Sequence, residues 1–450
     1  MARSAKQYQL PFHFDVKSGQ DFPLFDDPAF MDNRSVPVHR WVPWIAGFSG
    51  AFVDSVLSSS FNGQKDSGLV LDPFAGVGTT LLQAAIRGQR VIGFEINPYA
   101  SLSANVKLNA LNINTAELDR TIKQLKKNER GWHAGKTDPS FFPKGFRSRI
   151  PFFSPRVRDQ VFHALEFISE IENERIRDLF RVAFGSVMVS FSNYTYEPSL
   201  STRAAAGKPF IDDADVAGTI LEKLLQMQSD IHWLRNDIGD EGIGKGFVHN
   251  EDFFTGNQWL EDGSVHLMVT SPPYLNNYHY ARNTRPQLYW LGLISTPKEQ
   301  KHLEENNFGT FWQIARTKKP VKLNFSHPEL ENILKRLRQL YPEKGDYGGT
   351  GWANYAASYF NDCERFLNIL RRCLKKRGVG VIVVGNSILQ GINIRVQDIL
   401  GDIAKMCGLK LEGVYCLRTK RVGDSITTSS VRGVKSKAKL DESVVVLRKV

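Results

Sequence analysis

The sequence is poor in cysteine: four residues in 450, Cys363, Cys373, Cys407 and Cys416, scattered without metal-ligand spacing. That excludes a disulfide-stapled scaffold and gives no zinc site, so the thiols read as reduced, in a cytoplasmic protein. No apolar run is long enough to span a bilayer. The N-terminus, MARSAKQYQL, has no apolar core and does not read as a signal peptide. Internal repeats and low-complexity tracts are also missing. These absences predict a cytoplasmic protein with no membrane and no metal partner. The remaining composition, 42% hydrophobic and 23% charged, is that of an ordinary globular chain. Its length allows one large domain with insertions, or two or three domains.

Acidic residues are scarce in two places. The net charge is +11, and residues 120–158 hold 11 Lys/Arg against only Glu129 and Asp138. Residues 418–439 hold seven Lys/Arg against Asp424 alone. Positive charge concentrated beside a near-neutral body suits a polyanion, although solvated basic loops give the same pattern.

The hydrophobic pattern places strands near 67–72 and at 90–96, 246–250, 265–270, 379–385, 410–417 and 442–449. Helices are expected over 98–127, 156–190, 213–236 and 353–376. A strand, a glycine turn, a helix and a second strand between 67 and 96 form a βαβ unit, which requires a parallel sheet. The last two strands read as an antiparallel hairpin. The α/β pattern is interrupted at roughly 101–245 and 292–350, both too long for ordinary connections. The polar stretch SNYTYEPSLSTRAAAGKP reads as a loop.

Asp72-Pro73-Phe74-Ala75-Gly76-Val77-Gly78-Thr79-Thr80 lies where the first strand opens into a helix. Gly76 and Gly78 permit close backbone approach, and ligands bind outside such strand ends. The spacing is not GxGxxG and no Lys follows, which argues against dinucleotide and nucleotide P-loops. Asp72 suits an ammonium group. Glu95, at the end of the next strand, suits both hydroxyls of a ribose. A ligand with an amino-acid end and a ribose is S-adenosylmethionine. Taken alone, the same residues also suit a glycine turn and a strand-end carboxylate of an unrelated α/β fold.

Thr270-Ser271-Pro272-Pro273-Tyr274 follows an apolar strand. Two prolines fix the backbone and remove two donors, leaving carbonyls, notably that of Pro272, to accept from an amino group. Ser271 adds a hydroxyl and Tyr274 a face on which a base can stack. No Pro-Cys dipeptide is present, so no covalent attack by a cysteine on a base is expected.

DPFAGVGTT and TSPPY together resemble the motifs of the amino-group (cytosine-N4 and adenine-N6) DNA methyltransferases. The resemblance covers most of 37–100, 246–290 and 353–450. It implies an α/β fold: a Rossmann-like methyltransferase sheet, mainly parallel, with an antiparallel last hairpin and a large helical insertion. It implies S-adenosyl-L-methionine as cofactor, bound by Asp72, Pro73, Phe74, Ala75, Gly76, Gly78, Thr79, Thr80, Glu95 and Asn97. HRWVPWIAGFS (39–49) resembles the segment that packs on the methionine part, which adds Phe48 and Ser49. NEDFF (250–254) resembles the motif flanking the adenine, which adds Asp252 and Phe253. Ser271, Pro272, Pro273 and Tyr274 become the catalytic residues, acting on a base flipped out of duplex DNA. The Ser-Pro-Pro-Tyr form is associated in the family with cytosine-N4.

The plan implied is an arm (1–36), a cofactor half (37–100), a helical insertion (101–245), a catalytic segment (246–291), a second insertion (292–350) and the rest of the sheet (351–450). No C-terminal recognition domain remains, so recognition is expected in the insertions. Arg147, Arg149, Arg156 and Arg158, with Arg418, Lys420 and Arg421 of the last hairpin loop, are the DNA-contact candidates. The aromatics among them, Trp132, Phe141, Phe142, Phe146, Phe152 and Phe153, read mostly as core. A cognate restriction endonuclease is the expected partner. Adenine-N6 chemistry, an RNA amino-methyltransferase and a catalytically silent DNA-binding specificity subunit are the competing readings.

Overall fold

Apolar residues alternate between the two faces of the central strands, and that alternation organises the protein into layers. The computed structural model describes residues 33–44, 47–61, 68–128, 132, 137–196, 199–238, 244–275, 280–420 and 440–450. Helix α1 (Gly50–Phe61) leads into β1 (Leu69–Asp72), α2 (Thr79–Ile86), β2 (Arg90–Phe94) and α3 (Pro98–Leu108). Then come α4 (Thr115–Asn128), α5 (Pro155–Ser169), α6 (Glu174–Val187), a short hairpin of β3 (Tyr194–Tyr196) and β4 (Leu200–Thr202), and α7 (Val216–Ile238). The sheet resumes with β5 (Gly246–His249), α8 (Phe253–Gly256) and β6 (Val265–Thr270). Helices α9 (Tyr280–Trp290), α10 (Pro297–Glu305), α11 (Trp312–Ala315), α12 (Pro328–Arg338) and α13 (Gly349–Cys373) follow. The chain ends with β7 (Leu374–Gly385), β8 (Ser387–Leu389), β9 (Ile392–Ile394), α14 (Val396–Met406), β10 (Lys410–Lys420) and β11 (Leu440–Arg448).

The main sheet has the order β10-β11-β7-β6-β1-β2-β5. Strands β5, β2, β1, β6 and β7 run parallel, and β11 is antiparallel to both β7 and β10. Val70, Leu267, Val269, Val381, Val383, Val444 and Val446 point to one face, where they meet α1 and α2. Leu71, Met268, Ile382, Val384, Val445 and Leu447 point to the other, covered by α12, α13 and α14. A parallel sheet covered on both faces is the arrangement that βαβ crossovers impose. Strand order reverses between β1 and β6, so the crevice for a ligand opens at their carboxyl ends. These features are those of a Rossmann-like methyltransferase sheet with an antiparallel closing hairpin.

The first insertion builds a core from α4 to α7 that continues into Trp41, Leu82 of α2 and Tyr99 of α3. Trp132, Phe146, Phe152 and Phe153 are buried in it, whereas Phe142 is exposed. The core also takes in Leu288, Tyr289 and Trp290 of α9, so the subdomain is fused to the helix that follows β6. A boundary at 100/101 cuts through α3, which packs under the sheet, so the departure from the sheet comes after Leu108. Two parts of the stretch expected as a loop, Tyr194–Tyr196 and Leu200–Thr202, are paired strand. The second insertion is not a separate unit. Helices α11 and α12 pack on α13 and share the core of the adjacent sheet face. None of the described helices is long and apolar enough to cross a membrane.

Candidate active site

The turn after β1 is shaped by two glycines in the left-handed region, Gly76 at φ 51° and Gly78 at φ 84°. Each also allows a close approach. A Cβ on Gly76 would lie 3.2 Å from the Trp44 indole nitrogen, and one on Gly78 would lie 2.8 Å from Cβ of Ala104 on α3. The turn is tied to its neighbours, with Ala75 N–H donating to the Phe94 carbonyl (2.9 Å). Glu95 then bridges two loops: its carboxylate accepts from Gly76 N–H and from Asn97 N–H, both at 2.8 Å. A carboxylate has about four acceptor positions, so two remain for a ligand. Burial pushes the Glu95 carboxyl up to about 7. The two N–H donors pull the other way, and the nearby Asp72 adds to the rise. Asn97 caps α3 and donates to Thr284 Oγ1 on α9 (2.7 Å), fixing α9 beside the cofactor turn.

Ser271 and Pro273 follow β6 and face the same cleft as Pro73, Phe74, Gly76, Glu95, Asn97, Asp252 and Phe253. The cleft encloses about 920 Å³ including its open mouth. Tyr274 stands just behind. Its ring lies against Gly385, where a Cβ would come within 3.3 Å, and its hydroxyl donates to Glu442 (3.4 Å). Asp252 caps α8, accepting from Phe254 and Thr255 N–H, while Phe253 packs among Phe74, Phe94 and Phe366.

Several expected cofactor residues do not line this cleft. Asp72 is turned inward: Thr270 Oγ1 donates to it at 2.6 Å and Phe74 N–H at 3.1 Å. Desolvation pushes its carboxyl up to about 6. It joins the glycine turn after β1 to the end of β6 and is not turned to the cleft. Thr80 does the same from α2, donating to the Val269 carbonyl (3.2 Å). Ala75, Gly78 and Thr79 shape the turn from within. Phe48 is buried with Phe52, and the Ser49 hydroxyl accepts from Phe52 N–H to cap α1. That cap turns both away from the cleft, and Trp44 of the same segment reaches it. Pro272 is buried beneath the turn. Sequence reasoning also missed Leu303, Asn306, Asn307, Phe308 and Phe311, which come from the second insertion.

Arg147 and Arg149 are exposed and form no ion pair among the described residues. The Arg147 carbonyl accepts from Arg285 Nη2 of α9 (2.8 Å), so the basic stretch docks on the helix that follows the catalytic turn. Arg156 lies 4.0 Å from Asp213, and Arg158 pairs with Asp159 at 3.0 Å. Arg418 and Lys420 belong to β10, and Arg421 lies outside the described residues. No group of three or more His, Cys, Asp or Glu is placed to hold a metal among the described residues.

The sheet order, the glycine turn and the cleft at the β1/β6 reversal define a Rossmann-like S-adenosylmethionine-dependent methyltransferase. The positive-φ Gly76 under Trp44 and the two open acceptor positions of Glu95 fit that cofactor. A family model described as DNA methylase, of the N6/N4 amino type, matches residues 53–105. Type II methyltransferase M.AvaI of Nostoc sp. is 26% identical over 455 residues, covering 94% of this chain and 88% of that protein. Type II methyltransferase M.BsoBI of Geobacillus stearothermophilus is 23% identical, over 88% and 83% of the two chains. M.MvaI of Kocuria varians is 23% identical over 74% and 73%. A solved rRNA methyltransferase from Streptomyces viridochromogenes aligns over 93% of this chain and 92% of its own, at 10% identity. Its TM-score of 0.32 is too low to bear on fold or substrate. These likenesses are to amino-group DNA methyltransferases, and they imply S-adenosylmethionine as the methyl donor.

Proposed function

We propose that this protein methylates the N4 amino group of cytosine in duplex DNA, at a specific sequence, on a base flipped out of the helix. The observation that carries the reading is that Ser271 and Pro273 share one cleft with Gly76 and Glu95. S-adenosylmethionine, when bound, supplies an electrophilic methyl group. Glu95 takes the ribose hydroxyls, and Asp252 and Phe253 flank the adenine. The Ser271 hydroxyl and the Pro272 carbonyl accept the two N–H bonds of the target amine. They draw these bonds out of the base plane, which returns the nitrogen lone pair to the nitrogen. Tyr274 supports the base by stacking. Catalysis is then positioning and electrostatics, without a covalent adduct. Ser271, rather than Asp or Asn at that place, favours cytosine.

Arg147 and Arg149 hold DNA phosphates beside α9. The chain acts as the modification enzyme of a Type II restriction system in the cytoplasm, with a cognate endonuclease, as the names of its relatives suggest. The test is to incubate the protein with labelled cofactor and duplex DNA of mixed sequence, digest to nucleosides and weigh the product. N4-methylcytosine is expected. Methylated adenine would overturn the base assignment, and labelling of RNA but not DNA would overturn the substrate. Ser271→Ala is expected to lower kcat by about 10²-fold while cofactor affinity holds, as when one transition-state hydrogen bond is removed.

A further inference from the structure

The cleft has an end away from the catalytic turn, and the second insertion builds it. Asp252, Phe254, Asn306 and Asn307 line both the cleft and an adjoining polar recess. Thr255, Thr310, Asn361, Asp362 and Arg365 belong to the recess, whereas Ser271 and Pro273 do not. A cofactor whose methyl group points at Ser271 therefore places its adenosine toward this end.

The wall here is the α10–α11 turn. Phe308 anchors it, edge-on to Phe74 of the cofactor turn at 5.1 Å and stacked on Phe254 at 5.9 Å. Next comes a strained backbone: Gly309 at φ 73° and Thr310 at φ 53°. A β-branched residue in the left-handed region is a true outlier. Such strain persists only where surroundings over-determine it, commonly at ligand clamps. The clamp is Asp362 on α13, whose Oδ2 accepts from Gly309 N–H at 2.8 Å. Thr310 is buried, and its hydroxyl has no partner among the described residues. The turn is thus held, at a cost, in a conformation that leaves a hydroxyl and two asparagines facing the cavity.

We propose that the α10–α11 turn is part of the cofactor site, with Asn306 and Asn307 contacting the adenosine end and Asp362 acting as the positioning residue that sets the turn. This rests on the cofactor reading of the cleft. It assigns the second insertion to the cofactor, although an insertion of this length reads from sequence as a recognition element for DNA. The carboxylate is suited to the task because an N–H donor bonded to a charged acceptor is held more firmly than one bonded to a neutral group.

The test measures binding of S-adenosylhomocysteine by calorimetry and the KM values for S-adenosylmethionine and DNA on the full chain. Wild-type binding is the control: its absence would remove the reading of the cleft itself, not this inference. Asp362→Ala is expected to weaken S-adenosylhomocysteine about fivefold to tenfold and to raise KM for the cofactor in parallel, the scale of one lost charge-assisted hydrogen bond. KM for DNA should stay within about twofold, because no DNA contact is altered. Asp362→Asn, which keeps an acceptor oxygen, should recover most of the affinity. The paired Asn306→Ala/Asn307→Ala variant alters only partly exposed side chains and so tests the same wall without threatening the core. It should weaken the cofactor severalfold. Unchanged cofactor affinity in the asparagine variant, or equal loss of cofactor and DNA affinity in Asp362→Ala, would overturn the proposal.

Discussion

The two insertions are alike in sequence and different in place. Both interrupt the α/β pattern, and both read as recognition elements. The first makes a helical core that runs on into Leu82 of α2, Tyr99 and Ala100 of α3 and Trp290 of α9. The second has no separate core. It joins the helical layer over one sheet face and sends Leu303, Asn306, Asn307, Phe308 and Phe311 into the cleft that Gly76 and Ser271 share. The difference teaches that an insertion takes its role from the strand end at which its residues arrive, not from its composition.

The largest effect should come from breaking the first insertion's grip on the rest. Asp230 of α7 is buried and accepts from Val38 N–H (2.9 Å), Arg40 Nε (3.1 Å) and Trp41 Nε1 (2.9 Å). Val38 sits at φ 63°, a strained position for a β-branched residue that this bond secures. Asp230→Ala leaves buried donors and a cation without a partner, at a cost of about 3–5 kcal/mol. Chemical denaturation should show one cooperative transition at a lower midpoint. Cofactor affinity should fall too, because the segment held by Asp230 leads to Trp44 in the cleft. Two separated transitions would show the insertion to be an independent domain and break the comparison.

Much of this was legible in the sequence for a local reason. Strand alternation and the glycine turn are patterns of a few residues, so β1, β2, β6 and β7 and the cleft at Gly76 could be read directly. The buried aromatics of the first insertion were legible as core by their number alone. Failures arose where a role depends on contacts distant in sequence. Asp72 looked like a ligand-facing carboxylate, but Thr270, 198 positions away, turns it inward. Phe48 and Ser49 read as cofactor contacts, because no local pattern shows that Ser49 caps α1. The bond between Gly309 and Asp362 spans 53 positions, and no periodicity announces it.

A smaller effect separates the insertions by charge. Arg147 and Arg149 of the first form no ion pair among the described residues, whereas Arg156 and Arg158 have carboxylates nearby. Arg147→Gln with Arg149→Gln should weaken DNA binding across sequences and lower the slope of log K against log salt by about 2, near one unit per phosphate contact. Lys319 and Lys322 of the second insertion are equally exposed. If that insertion serves the cofactor, their replacement by Gln leaves the slope unchanged. Fluorescence anisotropy across a salt series reads both. Equal slopes for the two double variants would erase the distinction.

The smallest effect tests the cleft itself through pH. Burial raises Glu95 from 4.5 to about 7 and Asp72 from 3.8 to about 6. For a carboxyl group raised on folding, the native state binds protons more tightly than the unfolded chain. Its stabilising contribution is present below the unfolded value and is lost as pH rises through the folded one. The cofactor-free protein should therefore lose stability from these groups as pH climbs toward about 7. Cofactor affinity should move the opposite way, because the proposed ribose contact at Glu95 needs the ionised form as acceptor. With a value near 7, the dissociation constant should tighten about tenfold between pH of roughly 6 and 8. Glu95→Gln should flatten that dependence while leaving the contribution of Asp72 to stability in place. Affinity and stability falling together with pH would mean that Glu95 serves only to tie Gly76 to Asn97, and that the ribose is held elsewhere.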